Sequence, residues 1–260
     1  MSPEKLGQHF LGDRTWQQQI EDAIHIDKRL WVEIGPGHGE MTVRLAQRAT
    51  KVIAIELDPL LAAQLRKNPA AQNVEVVSGD VLAADFAALT EGQPFSVYGN
   101  LPYYITSPIL HRLFECSKQI RAIHIVIQYE VALRIAAPPG CRDYGYLSVV
   151  CQWFSQPEIV FKIPPEAFNP PPKVNSALVT LRMPGQNAHC EVNDQKEFFR
   201  FVQECFAHKR KMLRNNLRNR LGDNTESVLL AAGLPKEARA EELAVAQFSA
   251  LFNLVQGRAL

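Results

Sequence analysis

The sequence predicts an α/β protein with a mostly parallel sheet, followed by a small all-helical domain. Three observations carry this. Short runs rich in Val and Ile recur between residues 30 and 128, helical patterns fill the gaps between them, and after about Asp194 the apolar spacing is helical alone. Strands buried on both faces read as continuous apolar runs, and their alternation with helices marks a parallel sheet.

The predicted strands are "LWVEI" (30–34), "VIAIE" (52–56), "VEVVSG" (74–79), "FSVYG" (95–99) and "AIHIVIQ" (122–128), with helices over "GEMTVRLAQRA" and "DPLLAAQLRKN". Further on, "YLSVVCQWF" (146–154) and "SALVTLRM" (176–183) flank the proline-rich "IPPEAFNPPPKVN" and are expected to pair antiparallel at the sheet edge. The expected domains are 1–183 and a helical 184–260.

Hydrophobic residues make up 47% of the 260, enough for a buried core and against disorder. The formal net charge of +1 hides a local excess: "KRKMLRNNLRNR" (209–220) holds six Lys or Arg and no acid. Five scattered cysteines lack C-x-x-C spacing, which argues against a zinc ribbon and for reduced thiols. The amino-terminal "MSPEKLGQHFLGDR" has no apolar signal stretch, and no window approaches the ~20 apolar residues of a bilayer span. A cytoplasmic protein with no membrane partner is expected.

"VEIGPGHGEMT" sets Gly35, Gly37 and Gly39 where the first parallel strand hands over to a helix. Glycines there admit close backbone approach to a ligand beside the helix amides. The spacing is G-x-G-x-G, not the G-x-G-x-x-G of dinucleotide sites. Glu56, at the tip of the next strand, can accept hydrogen bonds from both hydroxyls of a ribose. Its alternative role, opening the following helix, is already filled by Asp58 before Pro59. Asp80 ends the third strand and can accept from an adenine amino group; alone it would read as a turn residue.

The fourth strand runs into "GNLPYYITSPIL" (99–110). The Asn100 amide oxygen and the Leu101 carbonyl, aimed by the rigid Pro102, offer two acceptors for one exocyclic NH₂. Tyr103 adds a flat wall for a purine, with stacking worth ~1–3 kcal/mol. An aromatic amine is a poor nucleophile because its lone pair is delocalised into the ring. Two acceptors localise that pair and support the positive charge that grows during attack, which suits methyl transfer from a sulfonium. The plain alternative is a proline turn with packed tyrosines.

Taken in order, "GQHFL" (7–11), "EIGPGHGEMT" (33–42), "AIELDP" (54–59), "GDVLAADF" (79–86), "NLPYYITSPIL" (100–110), "QYEVALR" (128–134), "PPPKVNSALVTL" (170–181) and "KRKMLRNNL" (209–217) resemble the ribosomal RNA adenine dimethyltransferases. The resemblance implies a Rossmann-like class I methyltransferase fold with a seven-stranded sheet. It also implies dimethylation at N6 of two adjacent adenosines near the 3′ end of small-subunit rRNA, with S-adenosyl-L-methionine as donor and no metal. It places His9, Leu11, Gly35, Gly37, Glu56, Asp80 and Asn100 at the cofactor, and Asn100, Leu101 and Tyr103 at the target amine. Phe168 is implied to close the other face of the base; a core phenylalanine beside a proline loop is the equal alternative. Lys209, Arg210, Lys211, Arg214 and Arg218 are expected to meet RNA phosphates, with Arg220 continuing their helical spacing. The chain departs from the family at Tyr129, often Lys, and at Asn175, often Asp. A monomer is expected. The readings that compete are a nicotinamide oxidoreductase, a large-subunit methyltransferase of the macrolide-resistance type, a DNA adenine methyltransferase and a non-catalytic ribosome-assembly factor.

Overall fold

The computed structural model describes residues 9–68, 70, 72–187, 190–208 and 211–257. By contacts the chain separates into two compact units. One comprises the chain up to Ala132 together with Pro157–Pro184; the other comprises Leu133–Gln156 and the chain from Gly185 onward. A single linear boundary near 184 therefore does not anticipate the excursion of Leu133–Gln156.

The strands are β1 (Phe10–Leu11), β2 (Leu30–Ile34), β3 (Lys51–Glu56), β4 (Val74–Ser78), β5 (Phe95–Asn100), β6 (Ile120–Gln128), β7 (Gln156–Ile163), β8 (Phe168–Asn169) and β9 (Ser176–Arg182). Seven of them form one sheet in the order β4-β3-β2-β5-β6-β9-β7. The pairs β2–β3, β3–β4, β2–β5 and β5–β6 are parallel, and β9 runs antiparallel to β6. This is the Rossmann-like α/β sheet that the sequence predicts. The order reverses direction at β2, which lies between β3 and β5, so a crevice opens beyond the carboxyl ends of β2 and β5. Ile34 is level with Gly99 there, bringing the glycine loop and Asn100 to one edge.

Helices α1 (Arg14–Ile24), α2 (Glu40–Arg48), α3 (Pro59–Arg66), α4 (Phe86–Leu89) and α5 (Thr106–Phe114) follow their strands as the apolar spacing requires. Asp13 caps α1, accepting from the Thr15 and Trp16 amides, and Asp58 caps α3 with Pro59 in its first turn. The central strands are buried end to end, with Trp31 stacked on His124 at 5.6 Å. Burial pushes that histidine down to about 3, so it is neutral, and its Nδ1 meets the Thr180 hydroxyl at 3.0 Å.

Two expectations are corrected at the sheet edge. "YLSVVCQWF" is not a strand but helix α7 (Tyr146–Phe154), preceded by α6 (Tyr129–Ala136). An apolar run of nine fits a buried strand or a buried helix equally. Here the Gly145 amide donates to the Ser148 hydroxyl at 2.9 Å, capping a first turn, and Val149 and Trp153 fall on one helical face within a core. The seventh strand is instead β7, "QPEIVFKI", at the end of the sheet beside β9. Pro157 masked it, yet an edge strand tolerates proline because no partner needs its amide.

The second unit is helical: α7, then α8 (Gln195–Cys205), α9 (Leu213–Leu221), α10 (Thr225–Ala231) and α11 (Val245–Gly257). Its core is built on Trp153, Phe198, Phe201, Phe248 and Phe252, and the buried Tyr144 hydroxyl donates to the Leu243 carbonyl. In the helical region after Asp194, α8 ends at Cys205 and α9 begins at Leu213. No described helix is long and apolar enough to cross a membrane.

Candidate active site at the carboxyl edge of the sheet

Three cavities meet at Gly35. The first is lined by Glu56, Asp80, Val81, Pro102, Tyr104 and Ile109. The second is lined by His9, Asn100, Leu101, Pro102 and Tyr103. The third is lined by Leu11, Glu33, Glu40, Tyr98 and Asn100. Glu56 and Asp80, expected from two strand ends, line the first cavity, and Asn100, from another, lines the second and third, with Gly35 common to all three.

The glycine loop is fixed by Glu56. The buried carboxylate accepts the Gly37 amide at 3.0 Å on Oε2 and the Asp58 amide at 2.9 Å on Oε1. Each oxygen keeps a second acceptor direction, which suits the two vicinal hydroxyls of a ribose. Burial raises the Glu56 carboxyl while those two amides pull it down. Asp80 has the turn role and also faces a cavity. Its Oδ1 accepts the Leu82 amide at 2.9 Å, a turn function, and the residue also lines the first cavity.

At the second cavity, the Asn100 side-chain amide donates through Nδ2 to the His9 carbonyl at 2.8 Å. That bond fixes which end of the amide remains, leaving Oδ1 as the acceptor. Leu101 is held by its own amide, which donates to the Val126 carbonyl at 3.0 Å. The Tyr103 hydroxyl is within 2.8 Å of Ser176 Oγ, and burial raises that phenol. One expectation changes here. A face of the Tyr103 ring is already taken by the His9 ring, with centroids 5.4 Å apart and planes at 30°, so a purine must displace His9 or use the other face.

The stretch His9–Leu11 is tied across the glycine loop. Phe10 and Leu11 pair with Asn169 and Phe168, the His9 imidazole bonds the Pro170 carbonyl at 2.8 Å, and Gln17 donates to the Leu11 carbonyl. The Phe10 ring lies so close over Gly37 that a Cβ there would be 2.8 Å from it. Phe168 does not line the three cavities. It is 4% exposed and belongs to the apolar core that includes Leu11, Ile20 and Trp31. The structure therefore favours its packing role, because pairing with Leu11 turns its side chain to the core.

Sequence reasoning missed Phe10, Glu33 and Tyr98. Glu33 Oε2 and the Tyr98 hydroxyl are buried without a hydrogen-bond partner, and both residues line the third cavity. Burial pushes the Glu33 carboxyl up to about 8, with Glu40 and Glu56 adding to the rise. A signal existed: a carboxylate and a phenol inside strands buried on both faces need partners.

The basic segment is only partly free. Lys209 and Arg210 lie outside the described residues. Lys211 is exposed but precedes α9, so the helical spacing holds only from Leu213. Arg214 is paired with Glu226 at 2.6 Å, whereas Arg218 is exposed with no acid partner among the described residues. Arg220 is corrected to a structural part: Glu197 and Glu204 hold it at 2.7–2.8 Å over the Phe201 ring. Among the described residues no group of three or more His, Cys, Asp or Glu could hold a metal ion.

The family model described as ribosomal RNA adenine dimethylase matches residues 3–257. The chain belongs to that family. It is an rRNA adenine dimethyltransferase by class, with the Rossmann-like methyltransferase fold. Curated relatives named ribosomal RNA small subunit methyltransferase A share 40% identity in Koribacter versatilis, over 96% of this chain and 93% of the relative. The relative of that name in Pectobacterium atrosepticum shares 39%, over 96% and 92%. Among solved structures, a dimethyladenosine transferase from Plasmodium falciparum superposes with a TM-score of 0.84 at 26% identity, covering 97% of this chain and 99% of the other. The 23S rRNA methyltransferase ErmE superposes at 0.71 with 30% identity, over 95% and 99%.

Proposed function

We propose that this dimethylase uses S-adenosyl-L-methionine to methylate, at N6, two adjacent adenosines near the 3′ end of small-subunit rRNA. The single observation that carries the chemistry is the Asn100 amide, fixed by its bond to the His9 carbonyl in the cavity that Leu101 also lines. The small-subunit target rests on the names of the curated relatives at about 40% identity. ErmE supports the rival large-subunit reading, with lower structural similarity than the dimethyladenosine transferase.

The donor's parts fit the residues present. Glu56 and Asp80 suit ribose and adenine, and Leu57, Val81 and Ile109 give the ring apolar walls. The third cavity, with the carboxyl groups of Glu33 and Glu40, the orphaned Glu33 oxygen and no cation in its lining, suits an α-ammonium. The donor, when bound, supplies an electrophilic methyl group on a sulfonium. Asn100 Oδ1 and the Leu101 carbonyl accept the two N–H bonds of the target amine and stabilise the charge that develops on nitrogen. Lys211, Arg214 and Arg218, with Lys209 and Arg210, are proposed to hold the RNA backbone. Arg214 must then exchange Glu226 for phosphate.

Mass spectrometry of small-subunit and large-subunit rRNA incubated with the protein and donor tests the reading. Two neighbouring N6,N6-dimethyladenosines are expected in the small-subunit RNA; modification of the large-subunit RNA alone would refute the target. Gly37→Ala tests the cofactor placement. At φ +59° with the Phe10 ring 2.8 Å from the new methyl, the loop or Phe10 must shift. Calorimetric donor affinity is expected to fall at least about tenfold, roughly 1.4 kcal/mol, with the circular dichroism spectrum preserved.

A further inference from the structure

The Lys162 ammonium sits 5.0 Å from the centroid of the Tyr129 ring. Lys162 is exposed, Tyr129 is half-buried, and no carboxylate lies within ion-pair distance of this ammonium among the described residues. On the same edge of the sheet the charge of Arg182 on β9 is met by Glu158 of β7. A lysine held on an aromatic face, with its charge unneutralised, is poised for an anion.

Its place in the fold says which anion. Asn100 is level with Val126 in the parallel β5–β6 pair, and β6 continues to Gln128 before Tyr129 opens α6. Tyr129 therefore stands three residues past the level of the target-amine acceptors, about 10 Å along the strand direction at ~3.3 Å per residue. It is also wired to the base pocket. The Tyr129 amide donates to the Asn175 carbonyl at 2.9 Å, and the next residue, Ser176, meets the Tyr103 hydroxyl at 2.8 Å. At that distance the spot lies within reach of the backbone flanking a base presented to Asn100.

We propose that Lys162, seated on Tyr129, binds a phosphate of the nucleotide that flanks the target adenosine. The proposal rests on the RNA-methylating function given above. It also means that Tyr129 does not leave this corner without positive charge, since Lys162 supplies it from β7. Tyr129 acts as a positioning residue: its ring restrains the lysine stem, so less freedom is lost when phosphate binds.

The test compares wild type, Lys162→Met, Lys162→Arg and Tyr129→Leu, with small-subunit rRNA in filter binding across a salt series and in methylation kinetics. Lys162→Met is expected to lower the slope of log affinity against log salt by about 0.7, the share of one phosphate on a single strand. It should raise the RNA KM about five- to tenfold and leave donor affinity unchanged. Lys162→Arg should keep the slope, and Tyr129→Leu should raise KM about two- to threefold with the slope retained. An unchanged slope in Lys162→Met, or an equal loss of donor affinity, would overturn the proposal. A wild-type protein that methylates no rRNA would strike the function itself. Normal wild-type methylation with an unaltered Lys162→Met slope would strike this inference alone.

Discussion

Asn100→Ala is expected to lower the single-turnover methylation rate by about 10²–10³, the cost typical of deleting one preorganised group that stabilises transition-state charge. The target nitrogen gains positive character as its lone pair leaves the ring, and only an acceptor fixed in advance stabilises that charge without reorganising. The Asn100 side chain is fixed by its bond to the His9 carbonyl at 2.8 Å, which leaves Oδ1 as the free end. Alanine removes both the acceptor and the tether to the amino-terminal stretch. The two losses separate experimentally. Loss of the acceptor lowers the chemical step at saturating donor and RNA, whereas loss of the tether weakens donor binding, because His9 and Phe10 line the shared cavity. Asn100→Asp keeps an oxygen but surrenders the donor to His9, so a partial rate with weakened donor binding is expected. A wild-type rate in purified Asn100→Ala, measured by quenched single turnover, would refute the two-acceptor mechanism.

The parts of this site that were legible in the sequence are those whose chemistry is local. Glycines before a helix, an acid ending the next strand and Asn-Leu-Pro after a fourth strand each occupy a strand end, and parallel topology gathers strand ends at one edge without further information. What was not legible depends on contacts distant in sequence. Tyr103 looked like an open wall because nothing in "NLPYY" reveals that His9, 94 positions earlier, stacks on it. Phe168 could be assigned to the base or to the core until its pairing with Leu11 was seen. Arg220 looked like one more phosphate contact, since a charge run does not show that Glu197 and Glu204 on another helix claim its guanidinium. Lys162 was invisible for the opposite reason: a lone lysine in a strand gains meaning only from the ring beneath it. The misread run 146–154 belongs to the same class, because an all-apolar stretch lacks the period that would separate strand from helix.

The second large effect is a pH dependence of stability set by Glu33. Burial raises its carboxyl from the ordinary range to about 8, and the facing groups do not offset this. Glu40 and Glu56 add like charge, Tyr98 is held neutral by its own burial, and Thr42 alone pulls the other way. The folded protein therefore binds a proton that the unfolded chain releases near 4.5, so stability falls as pH rises between those values. His124 acts with the opposite sign. Its folded value near 3 means that its stabilising neutral form is favoured above 6.5 and is lost progressively as pH drops below that. The two slopes oppose each other between 4.5 and 6.5, and above 6.5 the His124 slope ends while that of Glu33 continues. At about 1.4 kcal/mol per pH unit, the ligand-free protein should lose roughly 2 kcal/mol between pH 6.5 and 8. For a folded unit of this size that corresponds to a fall in Tm of roughly 4–8 °C. Glu33→Gln keeps the shape and a hydrogen-bonding end without the titration, so its Tm should stay level over that interval. Parallel curves for wild type and Glu33→Gln in a calorimetric pH series would show that the carboxyl is already ionised in the folded protein, and that water or a neighbour satisfies the oxygen that here stands alone beneath the glycine loop.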